Sequence, residues 1–257
     1  MGNVRGWCGR TTPPARPCRR PEVGGLTLLT REDGSPPVVV ALGAHCDDVE
    51  IGAGALLLQL AASCPGARLQ VLVLSSTPDR EAEAHASLKA FSGGVDLEVT
   101  VLDLPDGRLP AHWDAVKEAM EEAGARARAA GGADLVLSPC RQDLHQDHRL
   151  VAELTPTVFR DHLVLGYEIA KWDGDLGRPA VHLPVPPEVA TRKFELLAEH
   201  YPSQRDRDWF DREVFLGLMR LRGVECHQRY AEAYWCDKIV VGLPPAARPD
   251  REVPCAS

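Results

Sequence analysis

A chain of 257 residues with 44% hydrophobic and 26% charged residues has the balance of one large soluble domain and is far from the disordered class. Its 37 acidic against 29 basic residues leave a net charge of -8, which argues against a nucleic-acid partner held through its phosphates. No apolar run approaches the roughly 20 residues of a bilayer crossing, so no membrane span is expected.

The N-terminus has no apolar signal core. The eight cysteines, scattered without a CxxC pair, form no disulfide framework. Together these point to a reducing, cytoplasmic setting.

In chain order, residues 1–35 read as a disordered basic arm, in which Arg5, Arg10, Arg16, Arg19 and Arg20 lie among prolines with no nearby acid. From Pro36 short apolar runs alternate with helical segments, the pattern of βαβ units and a parallel sheet. A strand at 38–42 leads through a polar knot, Gly43-Ala44-His45-Cys46-Asp47-Asp48, into a helix from about Gly52 to 62. Further strands are predicted at 69–74, 97–102, 135–137 and 164–169, with helices at 80–91 and 113–130 between them. The fourth strand opens into a second knot, Asp143-Leu144-His145-Gln146-Asp147-His148, and a helix from about Arg149. Two more helices, 188–199 and 209–221, precede a last strand at 238–241. The predicted domain is 36–243, with an unstructured tail at 244–257.

Both knots follow strand C-termini and precede helices, the edge at which open α/β sheets bind ligands. Taken alone, Asp47-Asp48 reads as a helix cap and His145 with His148 as surface polar groups. Imidazoles and carboxylates at two adjacent strand ends, however, converge on one point and match a divalent metal with nitrogen and oxygen ligands. Three protein ligands with one position left for water distinguish a catalytic zinc from a closed structural one, and His45, Asp48 and His148 fit that count. Hydrolysis of an amide also needs a base for the water and an acid for the amine. Asp47 and His145 are the groups left over, although spacing alone does not separate Asp47 from Asp48. Asp147 is placed to fix one imidazole by accepting its ring N–H, or to cap the following helix.

The run Ala44-His45-Cys46-Asp47-Asp48-Val49-Glu50 resembles the AHPDDxE motif of the PIG-L/LmbE-like deacetylases, and His145-Gln146-Asp147-His148 resembles their HPDH motif. Similarity extends to Leu104-Pro105-Asp106-Gly107, Ser203-Gln204 and Tyr230-Ala231-Glu232-Ala233-Tyr234. The resemblance implies a Rossmann-like parallel sheet flanked by helices, with one zinc held by His45, Asp48 and His148. It makes Asp47 the general base, and His145 the general acid or the group that stabilises the oxyanion. It also implies an N-acetylglucosamine-type amino sugar or glycoconjugate as substrate. Cys46 and Gln146 stand where the family has proline, so both loops lose a fixed φ. Cys46 reads as a structural replacement, the sharper alternative being a thiol that binds metal or oxidises.

Arg80, Trp172, Ser203 and Gln204 are the substrate-side expectations: Arg80 for a hydroxyl or phosphate, Trp172 for a sugar face. His85, His112, His162, His182 and His227 read as ordinary surface or satisfied core residues. The rival readings are a metal hydrolase of a phosphoester or non-sugar amide, and a non-catalytic sugar binder. A dinucleotide-binding fold is disfavoured because 43–54 lacks GxGxxG spacing. A homo-oligomer is compatible with the sequence, and iron(II) or cobalt would suit the same ligands as zinc.

Overall fold

The computed structural model describes Leu29, Arg31 and residues 34–241. The tail read at 244–257 and nearly all of the arm read at 1–35 lie outside the described residues. Of the arm, Arg31 forms a 2.8 Å ion pair with Asp134 and donates to the Gly132 carbonyl at 2.9 Å. Among the described residues no helix is long and apolar enough to cross a membrane.

Each predicted apolar run up to residue 169 becomes a strand of one sheet. β1 (Val38–Gly43), β2 (Arg68–Ser75), β3 (Asp96–Leu104), β4 (Leu135–Pro139) and β5 (Val164–Tyr167) pair in parallel in the order β3-β2-β1-β4-β5. A central parallel strand is covered on both faces, so its side chains have no wet side; every residue of β1 is buried.

Two further strands correct the all-parallel expectation. β6 (Val181–Val185) and β7 (Tyr230–Trp235) extend the order to β5-β7-β6, with β7 antiparallel to both neighbours. Two helices separate β6 from β7. One helix between strands gives a parallel return; two bring the chain back to the end it left, so β7 runs the other way. The strand expected at 238–241 is not formed: Ile239, Val240 and Val241 are 50%, 88% and 60% exposed. Apolar patterning marked that triplet but carries no information on depth. β6 escaped prediction because it is an edge strand interrupted by Pro184, a residue tolerated only where a ladder bond is dispensable.

The helices are α1 (Asp48–Ser63), α2 (Pro78–Ser92), α3 (Trp113–Ala129), α4 (Gln146–Val158), α5 (Pro187–His200) and α6 (Arg212–Glu225). α1, α2, α5 and Phe215 of α6 pack on one face of the sheet against Val39, Ala41, Leu69 and Val71. α3 and α4 cover the other through Val40, Leu42, Leu72 and Leu74. The alternation along β1 and β2 thus sorts two cores from one apolar run.

α1 starts at Asp48, four residues before the expected position, and is broken at Ala53, where φ is -137° and ψ 16°. The break is held from outside the helix. Glu232 of β7 accepts the Ala55 and Leu56 amides at 2.7 and 2.8 Å, while Lys193 of α5 donates to the Ile51 carbonyl at 2.6 Å. Lys193 and Glu232 are themselves 2.6 Å apart, and Tyr234 donates to Glu232 at 2.7 Å.

Gly52 lets this part of α1 press on Tyr167, since a Cβ there would lie 2.1 Å from the Tyr167 Cδ2. Tyr167 cannot retreat easily, because it is fully buried and donates to the Leu42 carbonyl at 2.6 Å. Gly52→Ala is therefore expected to cost about 1–3 kcal/mol through overpacking, read as a lower urea midpoint with an unchanged m-value. An unchanged midpoint would mean that α1 shifts freely here.

Candidate metal centre and active site

The loop between β1 and α1 and the loop between β4 and α4 leave neighbouring strands, because β1 pairs with β4. Together they bring His45, Asp48 and His148 into contact. His45 Nδ1 lies 3.1 Å from His148 Nε2, and the Asp48 carboxylate lies 3.6 Å from His45 Nδ1 and 3.3 Å from His148 Nε2. Ligands at about 2.0–2.2 Å from a tetrahedral ion stand roughly 3.3–3.6 Å from one another. The carboxylate distances match that spacing and the two imidazole nitrogens stand slightly closer, a donor set with the chemistry of a zinc-type site; among the described residues His145 also shares metal-ligand spacing with His45 and His148.

What stands behind each donor fixes its orientation. Asp48 Oδ2 accepts the Ala44 and His45 amides at 2.9 and 2.8 Å, which ties the carboxylate to its own loop. His148 Nδ1 meets Asp143 Oδ2 at 2.9 Å, and Asp143 in turn receives Lys171 Nζ at 2.9 Å. His45 Nε2 lies 3.2 Å from Asp147 and 3.0 Å from Asp106. Carboxylates on the far nitrogens hold tautomer and ring direction in metal sites. Asp147 does this without capping α4. It is fully buried and accepts the Gly107 and Leu109 amides at 2.7 and 3.0 Å, while the cap of α4 is His145, whose Nδ1 accepts the Asp147 amide at 3.3 Å.

The electrostatics follow from these neighbours. Burial opposes the charged form of His45, but Asp48, Asp106 and Asp147 outweigh it and hold its pKa well above the usual imidazole value. Burial likewise works against His148, yet Asp48 and Asp143 raise it to about 9. Burial raises Asp48, and the two imidazoles more than reverse that, leaving it well below the usual carboxylate range. His145 goes the other way: burial, then the charges of His148 and His45, push it down.

A metal entering this site must compete with protons, because the neighbouring carboxylates favour the charged form of both imidazoles. Metal binding at pH 7 should therefore release protons. Affinity should fall as pH is lowered below about 9, the His148 value. Calorimetric titration in buffers of different ionisation enthalpy measures the release; uptake independent of pH would contradict these ion pairs.

Asp47 precedes α1 and is buried, with Oδ1 3.1 Å from the Arg80 guanidinium. Arg80 also reaches Ser203 Oγ at 3.0 Å and Glu83 at 3.4 Å, and lies 5.3 Å over the Tyr201 ring. The guanidinium expected to meet substrate is thus committed to Asp47 and the 201–204 loop. Ser203 is held by Glu83, at 2.6 Å through Oγ, and Gln204 donates to Ser203 Oγ at 3.1 Å. Trp172 is 63% exposed, its Nε1 2.6 Å from Asp208 and its ring 5.8 Å from the Arg207 guanidinium. Trp209 packs edge-on against the same ring, with centroids 6.0 Å apart.

Cys46 turns inward, buried in the core with Sγ 3.6 Å from the Ser75 carbonyl, and burial lifts its thiol to about 12. Among the described residues it joins no group of metal-ligand spacing. The Cys46 carbonyl and the Glu50 carboxylate both meet Tyr201 Oη, the latter at 2.7 Å, and burial raises Glu50 to about 7. Asp106, Asp143, Lys171, Glu83 and Tyr201 were not singled out by sequence. Asp106 and Asp143 do lie in runs noted for their similarity or polarity, whereas Lys171 and Glu83 carry no local signal.

Among solved structures the chain is similar to N,N'-diacetylchitobiose deacetylase from Pyrococcus horikoshii, with a TM-score of 0.62 and 16% identity over 81% of this chain and 86% of that one. It is also similar to a zinc-inhibited form of teicoplanin deacetylase Orf2, with a TM-score of 0.58 and 19% identity over 77% and 97%. A third similar structure is GalB, the 4-carboxy-2-hydroxymuconate hydratase of Pseudomonas putida KT2440, with a TM-score of 0.62 and 16% identity over 82% and 100%. No curated protein matches the chain. Likeness at this identity establishes the fold, and a hydratase among the matches shows that this fold does not set the reaction by itself. Residues 40–159, which contain both metal loops, match the family model described as PIG-L, GlcNAc-PI de-N-acetylase. Over that segment the chain is similar to the PIG-L family.

Proposed function

We propose that this protein is a metal-dependent N-deacetylase acting on an acetylated amino sugar or its conjugate, with His45, Asp48 and His148 as ligands. The observation that carries the reading is the convergence of these three donors, 3.1 to 3.6 Å apart, beside two further proton-handling groups. A divalent ion bound there supplies a water acidified toward a pKa of about 7 and a Lewis acid for the acyl oxygen.

The chain's own groups do the rest. Asp47, oriented by Arg80, takes the proton of the attacking water. His145 accepts the Asp147 amide at Nδ1, so its neutral ring carries the proton on Nε2. Its lowered pKa favours that neutral form, a hydrogen-bond donor for the oxygen that gains charge as water adds to the acyl carbon. The C–N bond then breaks as Asp47 passes that proton to the leaving nitrogen, giving the free amine and acetic acid, which ionises to acetate. Asp143 and Asp147 act through the two ligand imidazoles as positioning residues. Trp172, near the Lys171 tie, is the group best exposed to stack on a sugar face.

The test is acetate release from N-acetylglucosamine, its glycosides and its lipid or peptide conjugates, run beside aryl phosphates and an unsaturated hydroxy acid. The proposal expects amine and acetate in equal amounts from at least one acetylated sugar, lost on chelation. Turnover confined to the phosphates or the unsaturated acid would replace it.

A further inference from the structure

A second concavity lies on the other side of the 140–148 loop and shares no residue with the metal centre. Its volume is about 530 Å³, within the roughly 300–1,000 Å³ usual for small-molecule sites. Its walls are apolar and partly aromatic: Pro156 of α4, Phe159 just after that helix, Val164 of β5 and Trp235 at the end of β7. It lies where the C-terminal part of α4 reaches the end of this layer, beyond its main contacts with β4.

The lining is strongly biased in charge. Arg141, Arg160 and Lys238 bring three cations against one carboxylate, Asp237, which pairs with Arg141 at 3.3 Å. Arg160 is exposed and makes no ion pair among the described residues, while Lys238 donates to the Arg160 carbonyl. His162, which lines the same cavity, has a buried Nδ1 with no hydrogen-bond partner among the described residues. It was expected to be satisfied.

We infer that this cavity is a binding site for a small aryl anion, its ring against Phe159 and Trp235 and its anionic group among Arg141, Arg160 and Lys238. Guanidinium groups hold carboxylates and phosphate-like oxyanions through paired N–H donors, and aromatic walls favour a flat body. The site is linked to the metal centre by one short route. Cys140, in its lining, accepts the Asp143 amide at 3.3 Å, and Asp143 holds His148.

The test uses the full metal-loaded chain, with benzenesulfonate and phenyl phosphate as probes and inorganic phosphate and benzyl alcohol as controls, by calorimetry. The aryl anions should bind one per chain and at least tenfold more tightly than either control. Arg160→Glu and, separately, Lys238→Glu should each weaken that binding tenfold or more. His45→Ala should leave it within about twofold, which separates this cavity from anion capture by the metal. No one-to-one binding of either aryl anion would overturn the inference. So would binding indifferent to both charge reversals, or binding lost with His45→Ala.

Discussion

Asp47→Asn is expected to lower kcat by about 10²- to 10⁴-fold, the usual contribution of a positioned general base, while metal content stays at one ion per chain. Asparagine keeps the shape of the side chain and a carbonyl oxygen for the 3.1 Å contact with Arg80. It cannot take a proton from water. Because Asp47 lies outside the cluster of His45, Asp48 and His148, the loss should fall on turnover and spare metal affinity. Asp48→Asn should do the opposite and release the ion, since Asp48 faces both imidazoles at 3.6 and 3.3 Å. Paired kcat and metal-content measurements on the two variants separate the roles. Equal loss of metal in both would show that the two adjacent aspartates are not divided in this way.

The second large effect concerns stability. Glu232→Ala is expected to cost about 3–5 kcal/mol, because it leaves Lys193 as a buried, uncompensated charge. It also strips the Ala55 and Leu56 amides of their acceptor at the break in α1. Replacing both partners, Lys193→Met with Glu232→Leu, should recover the ion-pair part and not the capping part, so the double variant stays less stable than the native chain. Denaturant midpoints decide this. Full recovery in the double variant would show that the break in α1 needs no cap.

These two predictions also mark how far the sequence could be read. The loops carrying His45, Asp48 and His148 were legible because strand, polar knot and helix follow one another in the chain and the residue types are those of a metal site. Five strands and six helices were legible by periodicity. The Lys193–Glu232 pair was not, because its partners stand 39 residues apart on α5 and β7 and meet only once both have packed against α1. The same holds for Lys171 behind Asp143, and for Arg80, whose guanidinium read as free until the fold placed Asp47 and Ser203 beside it. Ile239, Val240 and Val241 misled in the opposite sense, since apolar composition fixes neither burial nor pairing.

GalB, the hydratase, matches this fold as well as the chitobiose deacetylase does, so the reaction rests on the donor set and its flanking groups. The most direct measurement is therefore anomalous diffraction from crystals of the zinc-loaded protein, recorded at the metal edge. The account predicts one strong peak per chain, about 2.0–2.2 Å from His45, Asp48 and His148, with Asp47 and His145 beside the ion and outside its ligand set. A peak coordinated by His145 in place of Asp48, a peak among Asp143, Asp173 and Asp175, or no peak at all would contradict it.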